Sequence, residues 1–389
     1  MDPSNQPKTR RRLVCPPRLR TVGDTGERHA TWLELYYDLV FAVAMTELDI
    51  GFSAELTLAG FLKAVSLFVP IWWAWVGHTV YATRFDTDDI VHRFFTFALM
   101  LAATAMAIQV ESSLKGGFVP FVLSYTAARL CLILLYLRAR RHVPEAHAMT
   151  SLYIGGFGVG GLLWGLSIWA PWPLRGVLWV VGIGVDLATP WVGRRIQREL
   201  PLDPAHFPER FGLFTLIVLG VSILGVIRGV AHVVWTLPYG LAGVLAFFLV
   251  ACLWWSYFTF VDEAELEDTL RSGRSYIYGH LPLLIGLSSI GTALEHFILE
   301  AASPRVQAPT LWLMSAGVVL WLASLYALNV ASTVCGPRLQ LMAAYLGAIL
   351  FTGLVAIFGL RLPSLAVLGS FCLLFSSLCV LEWRHFRHL

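Results

Sequence analysis

Glu34 and Asp38 stand four residues apart in an otherwise apolar stretch, Trp32-Leu-Glu-Leu-Tyr-Tyr-Asp-Leu-Val-Phe41. In a helix that spacing places both carboxylates on one face, continued by Phe41 and Met45. Two carboxylates so close repel unless a proton, a cation or an arginine stands between them. The pair therefore reads in one of two ways. It is a cation or proton site, or it is an ion pair with Arg84, Arg93 or Arg210 from neighbouring loops.

Further ionisable groups occur at similar depth. His78 closes the second apolar run, and Arg84 and Asp86 follow it in Arg84-Phe-Asp-Thr-Asp-Asp89. His206, Glu209 and Arg210 open the seventh run and His280 opens the ninth. Asp186 lies deep in Gly184-Val-Asp-Leu-Ala-Thr-Pro190, where the proline frees backbone carbonyls one turn earlier. Arg129 is the natural buried cation for Asp186 or Asp38. The candidate substrate- or ion-binding set is thus Glu34, Asp38, His78, Arg84, Asp86, Asp186, His206, Glu209, Arg210 and His280. Glu47, Asp49, Glu111, Glu295 and His296 read as solvated groups at the opposite interface.

Other chemistries lack their residues. The six cysteines form no CxxC pair and the histidines no HExxH, so no metal site is expected. No G-x-S-x-G, P-loop or GxGxxG context appears, so neither a catalytic set nor a cofactor is expected. Gly155-Gly-Phe-Gly158-Val-Gly160-Gly161 sits inside an apolar run and reads as close helix packing. Trp72, Trp73 and Trp75 read as packing, with a cation–π lining as the sharper alternative.

The elements that must hold these residues are membrane helices. The chain has 389 residues, 57% apolar and only 14% charged. Soluble domains carry about 25% charged residues, so this chain cannot clothe a water-facing surface. Runs long enough to span, roughly 20 residues, occur at 32–51, 58–81, 91–110, 118–137, 149–169, 174–192, 207–227, 237–261, 276–299, 310–330, 339–360 and 364–383. The expected fold is an all-α polytopic membrane protein of about twelve spans. Residues 1–30 read as a disordered basic tail that stays in the cytoplasm and touches anionic lipid head groups. Nucleic-acid binding is not expected, because no aromatic residues interleave the charges.

Arginine placement fixes the orientation. With the tail inside, the cytoplasmic face also receives Arg84, Arg93, Arg138, Arg140, Arg141, Arg194, Arg195 and Arg198. The opposite face receives Lys115, Arg175, Arg228, Arg305 and Arg361. Both termini are then cytoplasmic. The chain divides into a first six-helix unit at 31–193, a linker at 194–206 and a second unit at 207–389. Each unit opens on an acid (Glu34, Glu209), carries a Trp pair (72–73, 254–255) and an acidic loop, and starts its third span near His92 or His280. Six spans per unit give a parallel repeat about the membrane normal.

Thr31-Trp-Leu-Glu34-Leu-Tyr-Tyr-Asp38-Leu-Val-Phe41 resembles the signature of the low temperature requirement A (LtrA) family of bacterial membrane proteins. Arg84-Phe-Asp-Thr-Asp-Asp89, His206-Phe-Pro-Glu209-Arg210-Phe-Gly-Leu-Phe and Tyr278-Gly-His280-Leu-Pro282-Leu agree with that pattern. The resemblance implies an integral protein of the bacterial inner membrane linked to growth in the cold. One departure stands out: where the family commonly has Gly-Glu in the seventh span, this chain has Gly220-Val221. Asp38-Leu-Val-Phe-Ala-Val-Ala-Met-Thr46 is also similar to the first helix of a small family of endosomal and lysosomal potassium channels, although Tyr36-Tyr37 replace that family's Phe-Ser. The functional expectation is a transporter or channel-like protein for a small solute or cation. The alternative is a non-transporting scaffold or a membrane enzyme that modifies lipids or isoprenoids.

Overall fold

A computed structural model describes residues 13–20, 30–200, 206–263, 270–332 and 339–386. The acidic loop around Glu265 and residues 1–12 and 21–29 of the tail lie outside the described residues, as do the side chains of Asp86 and Arg271.

The helices, in chain order, begin with α1 (Trp32–Ser53), α2 (Leu58–Arg84), α3 (Ile90–Ile108), the short α4 (Val110–Leu114), α5 (Val119–His142), α6 (His147–Leu166) and α7 (Leu174–Val192). They continue with α8 (His206–Ala231), α9 (Leu237–Glu263), α10 (Leu270–Leu299), α11 (Ala308–Ser332), α12 (Leu339–Phe358) and α13 (Ser364–Phe386). Local chemistry explains several starts. Thr31 caps α1 in a capping box, its hydroxyl accepting from Glu34 N while the Glu34 carboxylate accepts from Thr31 N. Asp89 caps α3 by accepting from His92 N at 2.9 Å. Pro120 stands in the first turn of α5, where its missing N–H does no harm.

Among the described residues, eleven helices are long and apolar enough to cross a membrane, which makes this a multi-pass membrane protein. The twelfth expected span, α1, is 22 residues long but carries Glu34, Asp38, Glu47 and Asp49. Those four acids keep it outside the apolar set. Outward-facing apolar side chains such as Leu101 and Leu373, 71% and 74% exposed, mark a surface suited to lipid rather than water.

The packing centres on α1, which touches α2, α3, α8 and α10. From it one chain of contacts runs α3–α5–α6–α7 and another α8–α10–α11–α12–α13. α10 is the most enclosed span, and α7 and α12 are the most open.

Part of the expected tail is ordered. Arg18–Leu19 (β1) pairs antiparallel with Phe85–Asp86 (β2), directly after α2. Cys15 N donates to Asp89 Oδ2 at 3.1 Å, Ile90 N donates to Leu13 O at 3.1 Å, and Arg138 reaches Cys15 O at 2.6 Å. The basic composition suggested no structure here. Composition carries no signal for backbone pairing with a short strand-forming turn, and that pairing is what fixes residues 13–20.

Candidate functional site

Five of the ten candidate residues converge where α1, α2 and α8 meet. Glu34, Asp38, His206 and Arg210 are all at most 2% exposed, so this is a buried charge cluster. Arg210 forks onto Asp38, Nε to Oδ2 at 3.1 Å and Nη2 to Oδ1 at 2.6 Å. Its Nη1 lies 3.3 Å from Glu34 Oε1. His206 stands between Glu34 and Glu209, at 3.6 Å and 3.7 Å. Trp75 completes the shell around Asp38 by donating Nε1–H to Oδ1 at 2.7 Å. Planar bidentate pairing of this kind is the strongest hydrogen-bonded form of an ion pair. One guanidinium thus answers the repulsion between the two carboxylates, and it is Arg210, not Arg84 or Arg93. Arg93 instead pairs with Asp88 at the surface, 2.8 Å away.

His78 and His280 flank the cluster one ring away. Tyr37 packs on His78 at 4.3 Å. The Thr96 hydroxyl gives its proton to His92 O at 2.9 Å, so His78 Nε2, 3.2 Å from that hydroxyl, is the donor. On the other side, His280 packs on Phe211 at 5.0 Å, and Phe211 lies against Trp75 at 4.9 Å. His280 Nδ1 donates to Tyr276 O at 2.7 Å, so its Nε2 accepts from the Tyr257 hydroxyl at 2.8 Å.

Asp186 does not join them. It pairs with Arg129 at 3.0 Å and accepts from the Tyr125 hydroxyl at 2.7 Å, within the first unit. Of the two partners suggested for Arg129, the structure selects Asp186. The glycine run explains how α6 approaches: a Cβ on Gly160 would stand within 2.2 Å of Asp186 Oδ1. Arg84 is also separate, buried at the end of α2 beneath the docked residues 13–20.

A second cluster escaped the sequence reading. Asp49 and Glu295, expected to be solvated, are 4% and 9% exposed. Arg228 bridges them, reaching Asp49 at 2.5 Å and Glu295 at 2.8 Å, and the Thr292 hydroxyl donates to Asp49. His296 lies 3.0 Å from the Ser53 hydroxyl. Position near a helix end indicates depth but not facing, and here the facing is inward. The signal available in sequence was Arg228 itself, an isolated arginine in an apolar run. A cavity of about 30 Å³ beside Asp49, lined also by Ser288, Ser289 and Thr292, is the size of one water.

Outside the spans, Asp89 is buried beneath residues 13–20. Burial alone raises its pKa, but hydrogen bonds from Arg138, His92 N and Cys15 N outweigh it and hold the carboxyl below its ordinary range. Trp72, Trp73 and Trp75 are at most 1% exposed and act as packing. Among the described residues, no three His, Cys, Asp or Glu side chains converge as metal ligands would.

A bundle with eleven helices long and apolar enough to cross a membrane among the described residues, and with charge clusters buried where α1, α8 and α10 meet, defines a polytopic membrane protein built around paired ionisable groups. The chain belongs to the bacterial low temperature requirement A (LtrA) family, whose profile matches residues 29–379. It is also similar to a protein of Rhizobium meliloti (strain 1021) described as uncharacterized protein RA0937, at 29% identity over 281 residues and 68% of each chain. Val221, on α8 after Gly220, is buried at 5% exposure.

Proposed function

We propose that this protein is a transporter or channel-like protein for a small solute or cation, with a polar site on its cytoplasmic side around Glu34, Asp38, His206 and Arg210. The observation that carries the reading is the burial of these groups between α1 and α8, one helix from each unit. An ionisable group in a span costs about 2.5–3.5 kcal/mol on insertion scales and persists where it is paired or working. A pair that joins two units is made or broken as those units shift, which is what alternating exposure of a solute requires.

The same reading includes α1 as a twelfth span, both termini in the cytoplasm, and residues 1–30 against anionic head groups. It also takes residues 31–193 and 207–389 as parallel repeats joined by 194–206. Two observations support the repeat. Asp38 meets Arg210 at one end and Asp49 meets Arg228 at the other, so α1 and α8 run side by side in the same direction. The neighbour order α1–α3–α5–α6–α7 recurs as α8–α10–α11–α12–α13. The Trp pairs depart from equivalence, since Trp72 and Trp73 are buried while Trp254 and Trp255 are 45% and 41% exposed. A role in growth at low temperature is proposed from the family alone.

The test is flux in sealed proteoliposomes with a panel of ions and metabolites. Glu34→Gln leaves the Asp38–Arg210 fork intact and so yields folded protein. Flux that is present in wild type and lost in this variant supports transport. A second reading, a non-transporting scaffold, is favoured by the closed fork on Asp38, and absence of flux for every solute would favour it.

A further inference from the structure

Away from the α1–α8 seam lie a buried arginine, Arg84, and a half-buried one, Arg274, neither of which meets an anion among the described residues. Arg84, the last residue of α2, is 2% exposed, and its Nε and Nη1 find no hydrogen-bond acceptor. Arg274, near the start of α10, also has Nε and Nη1 buried without an acceptor. Among the described residues, no carboxylate oxygen comes within 4.0 Å of either guanidinium. Two acids of the turn after α2 are already engaged, Asp89 by Arg138 at 2.6 Å and Asp88 by Arg93 at 2.8 Å.

The two arginines border one aromatic group. Arg84 Cζ stands 6.0 Å from the centre of the Tyr153 ring, and Arg274 Cζ stands 5.4 Å from the Trp191 ring. Tyr278, one turn beyond Arg274, packs on Trp191 at 5.5 Å and on Trp73 at 5.9 Å. Gln197 joins the two sides, its Nε2 donating to the Tyr153 hydroxyl at 2.9 Å and to Pro190 O, next to Trp191, at 3.2 Å. Tyr136 packs on Tyr153 at 5.1 Å, and its hydroxyl and the Trp73 Nε1–H are buried without partners too. Tyr278 gives its own proton to Leu187 O at 2.6 Å, so the free donors here are the Arg84 and Arg274 N–H groups, the Tyr136 hydroxyl and the Trp73 indole.

A buried lysine can shed its proton; a guanidinium cannot. An enclosed arginine without a counter-charge keeps a large desolvation penalty, and an oxyanion offers the planar fork two acceptors at once. We propose that Arg84 and Arg274, with the rings of Tyr153, Tyr278 and Tyr136 around them, form a binding site for a phosphate-type oxyanion where α2 ends and α6 and α10 begin. The group belongs either to an anionic phospholipid or to a soluble phosphate. The site requires no flux, so failure of the transport reading leaves it standing.

The full chain, exchanged into phosphatidylcholine nanodiscs, is titrated with inorganic phosphate by calorimetry and thermal unfolding. A parallel sample with phosphatidylglycerol is scored for retained lipid by native mass spectrometry. Wild type should bind at least one of the two anions. Arg84→Gln and Arg274→Gln should each weaken that binding at least tenfold, and Arg84→Lys should weaken it less. Without anion, Arg84→Gln should melt at or above wild type, because it removes an uncompensated charge. Phosphate binding in phosphatidylcholine identifies a soluble ligand, and binding of phosphatidylglycerol alone identifies a head group. Failure of both anions to bind, undiminished binding by both Gln variants, or a lower melting temperature for anion-free Arg84→Gln would each overturn the proposal.

Discussion

Arg210 and Asp38 face each other across 172 positions of sequence, and the guanidinium of one covers both oxygens of the other. Both side chains are fully buried. Glu34 shares the same cation at 3.3 Å, so the charges of this corner interlock rather than pair off. Removing any one member leaves the others facing an altered field.

Asp38→Asn should therefore destabilise the bundle, because Arg210 loses its fork. Breaking a buried pair costs about 3–5 kcal/mol, whereas an apolar replacement of both members is often neutral. The double variant Asp38→Leu with Arg210→Met should accordingly melt above Asp38→Asn. Melting temperature in detergent measures both, and a double variant no more stable than the single one would sink the argument.

Gly160 and Gly155 give a matched pair. A Cβ on Gly160 meets Asp186 Oδ1 at 2.2 Å, and a Cβ on Gly155 meets nothing within 4 Å. Gly160→Ala should lower the melting temperature by an amount corresponding to about 1–3 kcal/mol, as overpacking does. Gly155→Ala should leave it unchanged or slightly raised, given the better helix propensity of alanine. Equal melting temperatures for the two variants would contradict this packing.

Acid should loosen residues 13–20. The Asp89 carboxyl is held below its usual range in the folded chain. The linkage sign follows: a carboxylate with a depressed pKa contributes stability above its unfolded pKa, about 3.9, and that contribution disappears as pH falls through the lower folded pKa. At neutral pH the contribution is complete. Amide hydrogen exchange at Leu13–Leu19, corrected for intrinsic rates, should quicken below about pH 4. Asp89→Asn should show fast exchange already at pH 7, and slow exchange in that variant would remove Asp89 from the account.

Orientation can be read chemically. With the native cysteines replaced, a cysteine at Lys115 or Arg305 should react with an impermeant maleimide from outside intact cells. A cysteine at Arg140 should react only after permeabilisation. External labelling at position 140 would reverse the map.

The helices were legible in sequence because apolar runs of spanning length leave few alternatives. The shared face of Glu34 and Asp38 follows from their spacing, and the burial of Arg129 in a span points to Asp186 or Asp38, of which it meets Asp186. Which arginine would meet Asp38 was not legible, since Arg84, Arg93 and Arg210 all lie near the same membrane face and only tertiary packing separates them. Asp49 and Glu295 failed for a related reason: their depth near a helix end suggested water, but their faces turn toward Arg228. Residues 13–20 gave no sequence signal at all, because their order comes from partners in the α2–α3 turn and on α5.

The two arginines of α8 grip α1 at both of its ends, Arg210 at Asp38 and Arg228 at Asp49. A rod fastened at one end can swing, but one fastened at two points leaves a single free motion, rotation about the line through them. Lengthwise sliding of one unit past the other would break both fastenings together. Rotation about the α1–α8 line would strain neither by translation, so sliding and rotation make opposite demands on the two pairs. In such a rotation displacement would grow with distance from that line.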